Sequence, residues 1–435
     1  MKRILKKIVK AFPLTKKIMN SLSLETEQLK KELLFYSNQA IDLRRQIKLL
    51  RNEKIKVVFL CWRPQVWGSL KTVYDAMKDD DAFDVTIVTI PNKKQLPKWG
   101  LNHEFYESEG AEAFWKGDDV ISGYDYATGE WLDLRLLKAD YVCFQQPYNI
   151  CRTGAEKSWV VSRYAKLFYV HYGQLIFNGV VEKDVYPPDF MRDLSLAFPE
   201  TEEQKKIMEK VCDTTRTKLI VAGNPRFDNL SRYLNCNSPV WKSESHTDFR
   251  ILWTPRWSTN EGTCTFFDYK DVLLEYCQTH KNLNFVFRPH PQAFLNFSAT
   301  GELSETEANT YKAKYTESEN TRIDFSKEFT ETFWSSDVLI ADMTSLMPEY
   351  FLTGKPIIYT HKHVDMFNEF GSKMAEGFYK VANWTELKNT LEMLINGTDP
   401  LREKRQQIIK DLFYFPPEGA GVRIKNAIKE DFFRA

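Results

Sequence analysis

The stretch Asp337–Tyr359, DVLIADMTSLMPEYFLTGKPIIY, decides how the rest of the chain is read. Val338-Leu339-Ile340-Ala341 is a short unbroken apolar run, the pattern of a strand buried on both faces of a parallel sheet. Asp342-Met343-Thr344-Ser345 then places small polar groups where a helix would begin. Pro348 is tolerated only in a first turn, which predicts a helix start at Thr344 or Ser345. Gly354 fits the residue after that helix, and Pro356-Ile357-Ile358-Tyr359 opens the next strand. Amides and hydroxyls at such a turn face the carboxyl edge of the sheet, where anions and nucleotides are held.

The same grammar extends in both directions. Ile55–Trp62 and Phe83–Ile90 read as strands flanking a helical Ser69–Met77, a β-α-β unit. Tyr141–Phe144, Leu167–Val170 and Leu219–Ala222 continue the series. The polar loop Leu234–Asp248 separates it from a second series at 250–253, 284–288, 338–341, 357–359 and 379–381. Helices are expected over 384–397 and 400–412, and the tail Ala420–Phe433 is placed to cross back to the first unit. The fold class is therefore α/β, two Rossmann-like domains facing a cleft. The expected boundaries are 54–240 for the first domain, 241–398 for the second and 399–435 for the terminal helices.

Two segments precede this body. Residues 1–20 carry seven Lys or Arg and no acid, with Ile4, Leu5, Ile8, Val9 and Phe12 on one helical face. This pattern predicts an amphipathic helix on an anionic membrane surface, with a basic helix against another subunit as the alternative. Residues 21–53 are expected to form a coiled-coil helix. Leu22, Leu29, Tyr36, Leu43 and Leu50 make one seam, and Leu33, Ala40 and Ile47 the other, with Thr26 weakening it. Such a seam implies a homo-oligomer; a long helix packed on its own body is the alternative.

Composition narrows the function. A net charge of +1 argues against a nucleic-acid binder. Seven dispersed cysteines without CxxC spacing suit a reducing compartment and offer no zinc site. No run approaches the length of a membrane span, and the basic start lacks the apolar core of a signal peptide. Asp79-Asp80-Asp81 lies between a helix and a strand and reads as a solvated turn rather than a metal site. GxGxxG, Walker A and GxSxG motifs are missing.

Four short motifs stand just after expected strands: His171-Tyr172-Gly173, Thr254-Pro255-Arg256-Trp257, Arg288-Pro289-His290-Pro291 and Asp342-Met343-Thr344-Ser345. Taken with GNPRFD (223–228), FQQPYN (144–149) and YVHYGQ (169–174), they resemble the CDP-glycerol glycerophosphotransferase family, the polymerases and primases of teichoic acids and related capsular polymers. The resemblance covers residues 55 to 395. It implies a GT-B fold, a CDP-activated donor in the second domain and an acceptor site built largely by the first.

Carried over by position, the resemblance makes His171 the general base toward an acceptor hydroxyl, although Val-His-Tyr-Gly stands where the family usually has Trp-His-Gly. It makes His290 the group that stabilises charge on the donor diphosphate, assisted by Arg256 and Arg288. Thr344 and Ser345 would hold the diphosphate, Glu349 the ribose hydroxyls, and Asn224 and Arg226 the cleft near the domain junction. The implied reaction moves glycerol phosphate or ribitol phosphate from a CDP-polyol to a lipid-linked sugar or growing polymer, with release of CMP. A GT-B glycosyltransferase using a nucleotide sugar is the alternative. No DxD follows a strand, so the protein is expected to supply the positive charge itself, without an obligatory divalent ion. The expected location is the cytoplasmic face of the bacterial cell membrane, peripherally bound.

Overall fold

A computed structural model describes residues 13–91, 114–115, 117–173, 176–178, 185–241, 248–326, 329–362 and 366–434. Of the basic segment expected over residues 1–20, positions 1–12 lie outside the described residues, and 13–20 belong to one long helix, Pro13–Arg51.

Thirteen strands form two sheets among the described residues. The first holds β1 (Ile55–Cys61), β2 (Phe83–Thr89), β3 (Val120–Ser122), β4 (Tyr141–Phe144), β5 (Lys166–Val170), β6 (Leu196–Phe198) and β7 (Lys218–Leu219). Its order is β3-β2-β1-β4-β5-β6-β7. The second holds β8 (Phe249–Thr254), β9 (Leu283–Phe287), β10 (Thr321–Ile323), β11 (Val338–Ala341), β12 (Ile357–Thr360) and β13 (Tyr379–Val381), in the order β10-β9-β8-β11-β12-β13. Every pairing within them is parallel. In each sheet the winding direction reverses beside its first strand, between β1 and β4 and between β8 and β11. This is the doubly wound arrangement, whose ligands sit at the carboxyl ends near that reversal. Two such units make the GT-B architecture.

The continuous apolar runs follow from burial on both faces. Val57 and Phe59 of β1 face one core with Met77 and Phe168, while Val58 and Leu60 face another with Phe144 and Tyr169. In the second sheet Ile340 and Trp253 share a core with Phe266 and Phe287, and Leu339 and Ala341 one with Met347 and Phe351.

The helix Ala420–Phe433 returns to the first unit. Ile424, Ile428 and Phe432 enter the core of Val57 and Phe59. Asp228, the last residue of GNPRFD, caps its start by accepting from Ala420 N–H (2.6 Å), Gly421 N–H (2.8 Å) and the Thr72 hydroxyl (2.6 Å). A Cβ at Gly421 would stand 2.5 Å from the Thr72 carbonyl group, so the two helices meet here only because that position lacks a side chain. At the far end Asp431 accepts from Tyr141 Oη (2.8 Å), Lys166 Nζ (2.8 Å) and Lys218 Nζ (2.6 Å), the first residues of β4, β5 and β7. The helix thus runs from the carboxyl edge of the sheet to its amino edge.

Pro13–Arg51 docks on that amino edge. Lys48 pairs with Asp140 (2.5 Å), Arg44 donates to the Ala139 and Tyr164 carbonyls (both 2.8 Å), and Arg45 donates to the Phe432 carbonyl (2.9 Å). Ser37 and Ile41 are buried on the same face. The heptad seam lies on a different face and stays exposed.

The units are also laced directly. Phe177 and Phe367 form an antiparallel bridge with their rings 5.5 Å apart, Asn178 N–H donates to the Met366 carbonyl (2.5 Å), and Asn368 N–H donates to that of Ile176 (3.0 Å).

Three details differ from the expectations. The helix after β11 is Met347–Phe351 and begins two residues beyond Ser345. Thr344 and Ser345 are spent in a turn in which Thr344 N–H donates to the Asp342 carbonyl (2.8 Å). Pro348 then occupies the first turn of a later helix. The strand expected over Leu219–Ala222 is only Lys218–Leu219, because it is an edge strand paired on one side. β3, β6 and β10 have three residues each, too few to show a period.

Candidate active site

Because β9, β8 and β11 are neighbours and parallel, the turns that follow them emerge side by side on one edge. Asp342 locks two of these turns together. It is fully buried, and its carboxylate accepts from Arg256 N–H (2.6 Å), Thr265 N–H (2.7 Å) and the Thr265 hydroxyl (3.1 Å). Burial raises its pKa to about 6 against the pull of those donors. Arg256 reaches over the same turn and donates to the Met343 carbonyl (2.8 Å), with Glu261 as its ionic partner. Ser345 is exposed and Thr344 half-buried beside it.

The third turn brings His290 to the group. Its ring stacks on Trp257 at 5.6 Å, and Nδ1 accepts from Gln292 N–H (3.1 Å). That bond leaves the proton of the neutral ring on Nε2. Partial desolvation, and then the nearby Arg256 charge, lower the His290 pKa to about 4, although the residue is surface-exposed. His290 is therefore a neutral N–H donor at pH 7. Arg288 sits on the same strand end, paired with Asp324 and donating to the Ser326 carbonyl (2.6 Å), its guanidinium 5.3 Å from the Phe329 ring.

The first unit approaches from the GNPR loop. Asn224 caps the loop by accepting from Arg226 N–H (3.0 Å), and its amide donates to Glu200 (2.8 Å). Arg226 crosses to the second unit. It lies 3.5 Å from Glu349 and 5.8 Å from the centre of the Phe329 ring that Arg288 also faces. Glu200, at the end of β6, is buried; desolvation, and next the like charge of Glu349, raise its pKa to about 8.

His171 follows β5 and is 3% exposed. Its Nδ1 accepts from Gly173 N–H (3.3 Å) and lies 3.0 Å from Gln204 Nε2. The Gln204 amide has one orientation, because its oxygen accepts from Glu200 N–H (2.5 Å). Both contacts on Nδ1 are donors, so the proton of the neutral ring is on Nε2, a buried atom with no partner among the described residues. Burial lowers the His171 pKa to about 3.

Arg256, His290, Thr344 and Ser345 thus lie on adjoining strand-end turns, and Arg226, Arg288 and Glu349 meet around Phe329. His171 touches none of them directly; it is linked to Asn224 through Gln204 and Glu200. Two nearby hollows flank the set. One of about 350 Å³ is lined by Trp67, Lys71, Arg226 and Arg232, and one of about 660 Å³ by Asp324, Ser326 and Thr330. Neither is lined by His171, His290, Thr344 or Ser345.

Glu200, Gln204 and Phe329 escaped the sequence reading. Glu200 follows a three-residue strand, and Gln204 and Phe329 carry no motif. Asp342 was legible as part of a polar turn, but its three-donor role depends on β8 lying beside β11.

The family model for CDP-glycerol:poly(glycerophosphate) glycerophosphotransferases matches residues 191–415, just over half of the chain. No curated protein matches. Among solved structures, a TagF wall teichoic acid polymerase variant soaked with CDPG is similar, with 14% identity and a TM-score of 0.55 over 92% of this chain and 97% of that one. The Staphylococcus aureus MnaA–UDP co-structure gives 13% identity and 0.56 over 87% and 96%. The UDP-GlcNAc 2-epimerase from Neisseria meningitidis bound to UDP-GlcNAc gives 14% and 0.53 over 86% and 98%.

Proposed function

The chain belongs to the CDP-glycerol:poly(glycerophosphate) glycerophosphotransferase family, and from that premise we propose that it moves glycerol phosphate or ribitol phosphate from a CDP-polyol to a hydroxyl of a lipid-linked sugar or growing cell-surface polymer. The acceptor oxygen attacks the phosphorus that bears the polyol. The bond from that phosphorus to the bridging oxygen breaks, CMP leaves, and the hydroxyl proton is released. The observation that carries this reading is the convergence of Arg256, His290, Thr344 and Ser345 on adjacent strand ends. CDPG in the TagF structure supports a cytidine donor here.

Phosphoryl transfer passes through a loose transition state, so catalysis rests on positioning and positive charge more than on covalent help. Arg256 and His290 Nε2–H would face the diphosphate, and the Thr344 and Ser345 hydroxyls would hold its oxygens. Arg288 and Arg226 would add charge after exchanging Asp324 and Glu349 for the ligand. His171 enters as a donor: its Nε2–H would fix the acceptor or a phosphoryl oxygen. To take the acceptor's proton instead, its Nδ1 would have to give up the Gly173 and Gln204 bonds. The cations belong to the protein, so turnover is expected without an obligatory divalent ion.

The test is CMP release. Purified protein is given CDP-glycerol, CDP-ribitol or nucleotide sugars with a lipid-linked acceptor, with and without EDTA. CMP from a CDP-polyol, unchanged by EDTA, is expected. Turnover of a nucleotide sugar alone would replace this reading with glycosyl transfer, and loss in EDTA restored by magnesium would overturn the metal-free part. The site would work at the cytoplasmic face of the bacterial membrane, held peripherally by the basic amino-terminal segment. No helix among the described residues is long and apolar enough to cross a membrane.

A further inference from the structure

Between β5 and the helix Pro188–Met191 the chain leaves the first unit and returns to it. Its departure and its return meet at His171. The ring of Tyr186 lies 5.0 Å from that of His171, and the Tyr186 hydroxyl accepts (3.1 Å) from the same Gln204 amide nitrogen that faces His171 Nδ1. Between these two points Ile176 and Phe177 are buried in the core of the second unit, with Leu339, Tyr359, Phe367 and Phe370. Only four residues separate His171 from Ile176, so the covalent tether carries a displacement of the buried tip back to the histidine.

The seat for that tip is the segment after β12. The Ile176 carbonyl accepts from Asn368 N–H (3.0 Å), and Asn178 donates to the Met366 carbonyl through its backbone (2.5 Å) and to the Phe367 carbonyl through its side chain (2.6 Å). The rings of Phe177 and Phe367 stack at 5.5 Å. Gly371, in the helix Glu369–Ala375, completes the seat. A Cβ there would stand 2.1 Å from the Ile176 carbonyl oxygen, far inside contact distance, so the tip fits only because position 371 lacks a side chain. The seat starts one strand from the donor turn. The Thr360 hydroxyl, at the end of β12, bonds the Thr265 hydroxyl (2.7 Å), which itself donates to Asp342 (3.1 Å).

We propose that residues 176–178 are a strap by which the second unit sets the position of His171 against the donor, and that Phe177, Asn178 and Gly371 are positioning residues of the transfer. The role rests on the reaction assigned above, in which the donor lies at strand ends of the second unit and His171 acts from the first. Transfer across a cleft requires both sides in one geometry, and a misplacement of about 1 Å costs on the order of 10²-fold in rate.

The test uses the full chain, CDP-glycerol and a lipid-linked acceptor. Gly371→Ala should lower kcat for CMP release on the order of 10²-fold, and Phe177→Ala should act in the same direction. The KM for CDP-glycerol, and the rise in melting temperature it causes, should stay as in wild type. In a His171→Ala background neither substitution should cost anything further, because residues that act as one unit are non-additive. Phe177→Ala puts no atom into the helix Glu369–Ala375, so it carries the test if Gly371→Ala does not fold. Hydrogen exchange gives a readout that needs no turnover: the Gly173 amide, bonded to His171 Nδ1, should exchange faster in Phe177→Ala than in wild type. A wild-type kcat in Phe177→Ala, or a loss that multiplies with that of His171→Ala, overturns the positioning role. Unchanged exchange at Gly173 overturns the strap whatever the reaction. A wild type that releases CMP from no CDP-polyol overturns the assigned reaction and the positioning role with it, while the exchange result still decides the strap.

Discussion

His171 shows how much one ring nitrogen decides. Two donors occupy its Nδ1, and one of them, the Gly173 amide, cannot reverse. The histidine is therefore read as a hydrogen-bond donor through Nε2. His171→Gln places an amide N–H near that position, whereas His171→Ala leaves nothing. Loss of one such donor costs roughly 10²- to 10³-fold in turnover. The alanine variant should show a loss of that order in kcat for CMP release, and the glutamine variant should recover much of it. Equal loss in both would restore the general-base role. Glu200 supplies a second residue-scale prediction. Its folded-state pKa, about 8, is raised from 4.5, so the folded protein holds this proton more tightly than the unfolded chain. The associated stability is present below about 4.5 and is lost as pH rises through about 8. Thermal unfolding of Glu200→Gln should therefore gain on wild type between pH 5 and pH 8. A constant difference across that range would show that Glu200 is already ionised at the lower end.

At the scale of elements, the family motif GNPRFD serves two purposes. Asn224 holds Glu200 within the first unit and Arg226 reaches Glu349 of the second, while Asp228 turns back to cap the helix Ala420–Phe433. An N-terminal cap is worth about 0.5–2 kcal/mol. Asp228→Ala also removes the shorter bond of the Thr72 hydroxyl, which keeps the Pro225 carbonyl (3.2 Å), so the unfolding free energy from urea melts should fall within that range, with Asp228→Asn intermediate. A midpoint unchanged in Asp228→Ala would mean that the helix is held by Ile424, Ile428 and Phe432 alone. The strands themselves were largely legible. β4 and β11 run over the same residues as their apolar runs, because strands buried on both faces need an unbroken stretch. The late helix after β11 was not legible, because the Thr344–Ser345 turn answers to Asp342, whose partners come from the β8 turn and from Thr265.

The whole molecule separates chemistry from attachment. The strand-end turns lie at the carboxyl edges of the sheets, whereas the helix Pro13–Arg51 is fastened through Asp140 and Phe432 at the amino edge of the first. A membrane-bound segment at that helix's start is thus mechanically distinct from the donor site. Deleting residues 1–20 should abolish sedimentation with anionic vesicles while leaving the rise in melting temperature with CDP-glycerol intact, since a ligand bound to the folded state stabilises it by mass action. Vesicle binding that survives the deletion would move the membrane contact elsewhere. Loss of the nucleotide effect would tie the segment to the site.

The order of apolar runs, turns and caps in the sequence was enough to determine two parallel-sheet units, a crossing terminal helix and four strand-end motifs, because strand burial and turn chemistry are local demands. Tertiary structure alone decided which nitrogen of His171 holds the proton, that Glu200 and Glu349 share one region, and that Arg226 and Arg288 meet over Phe329. Those outcomes depend on groups separated by tens to hundreds of residues, and the energy of a buried charge or hydrogen bond is set by what packs beside it.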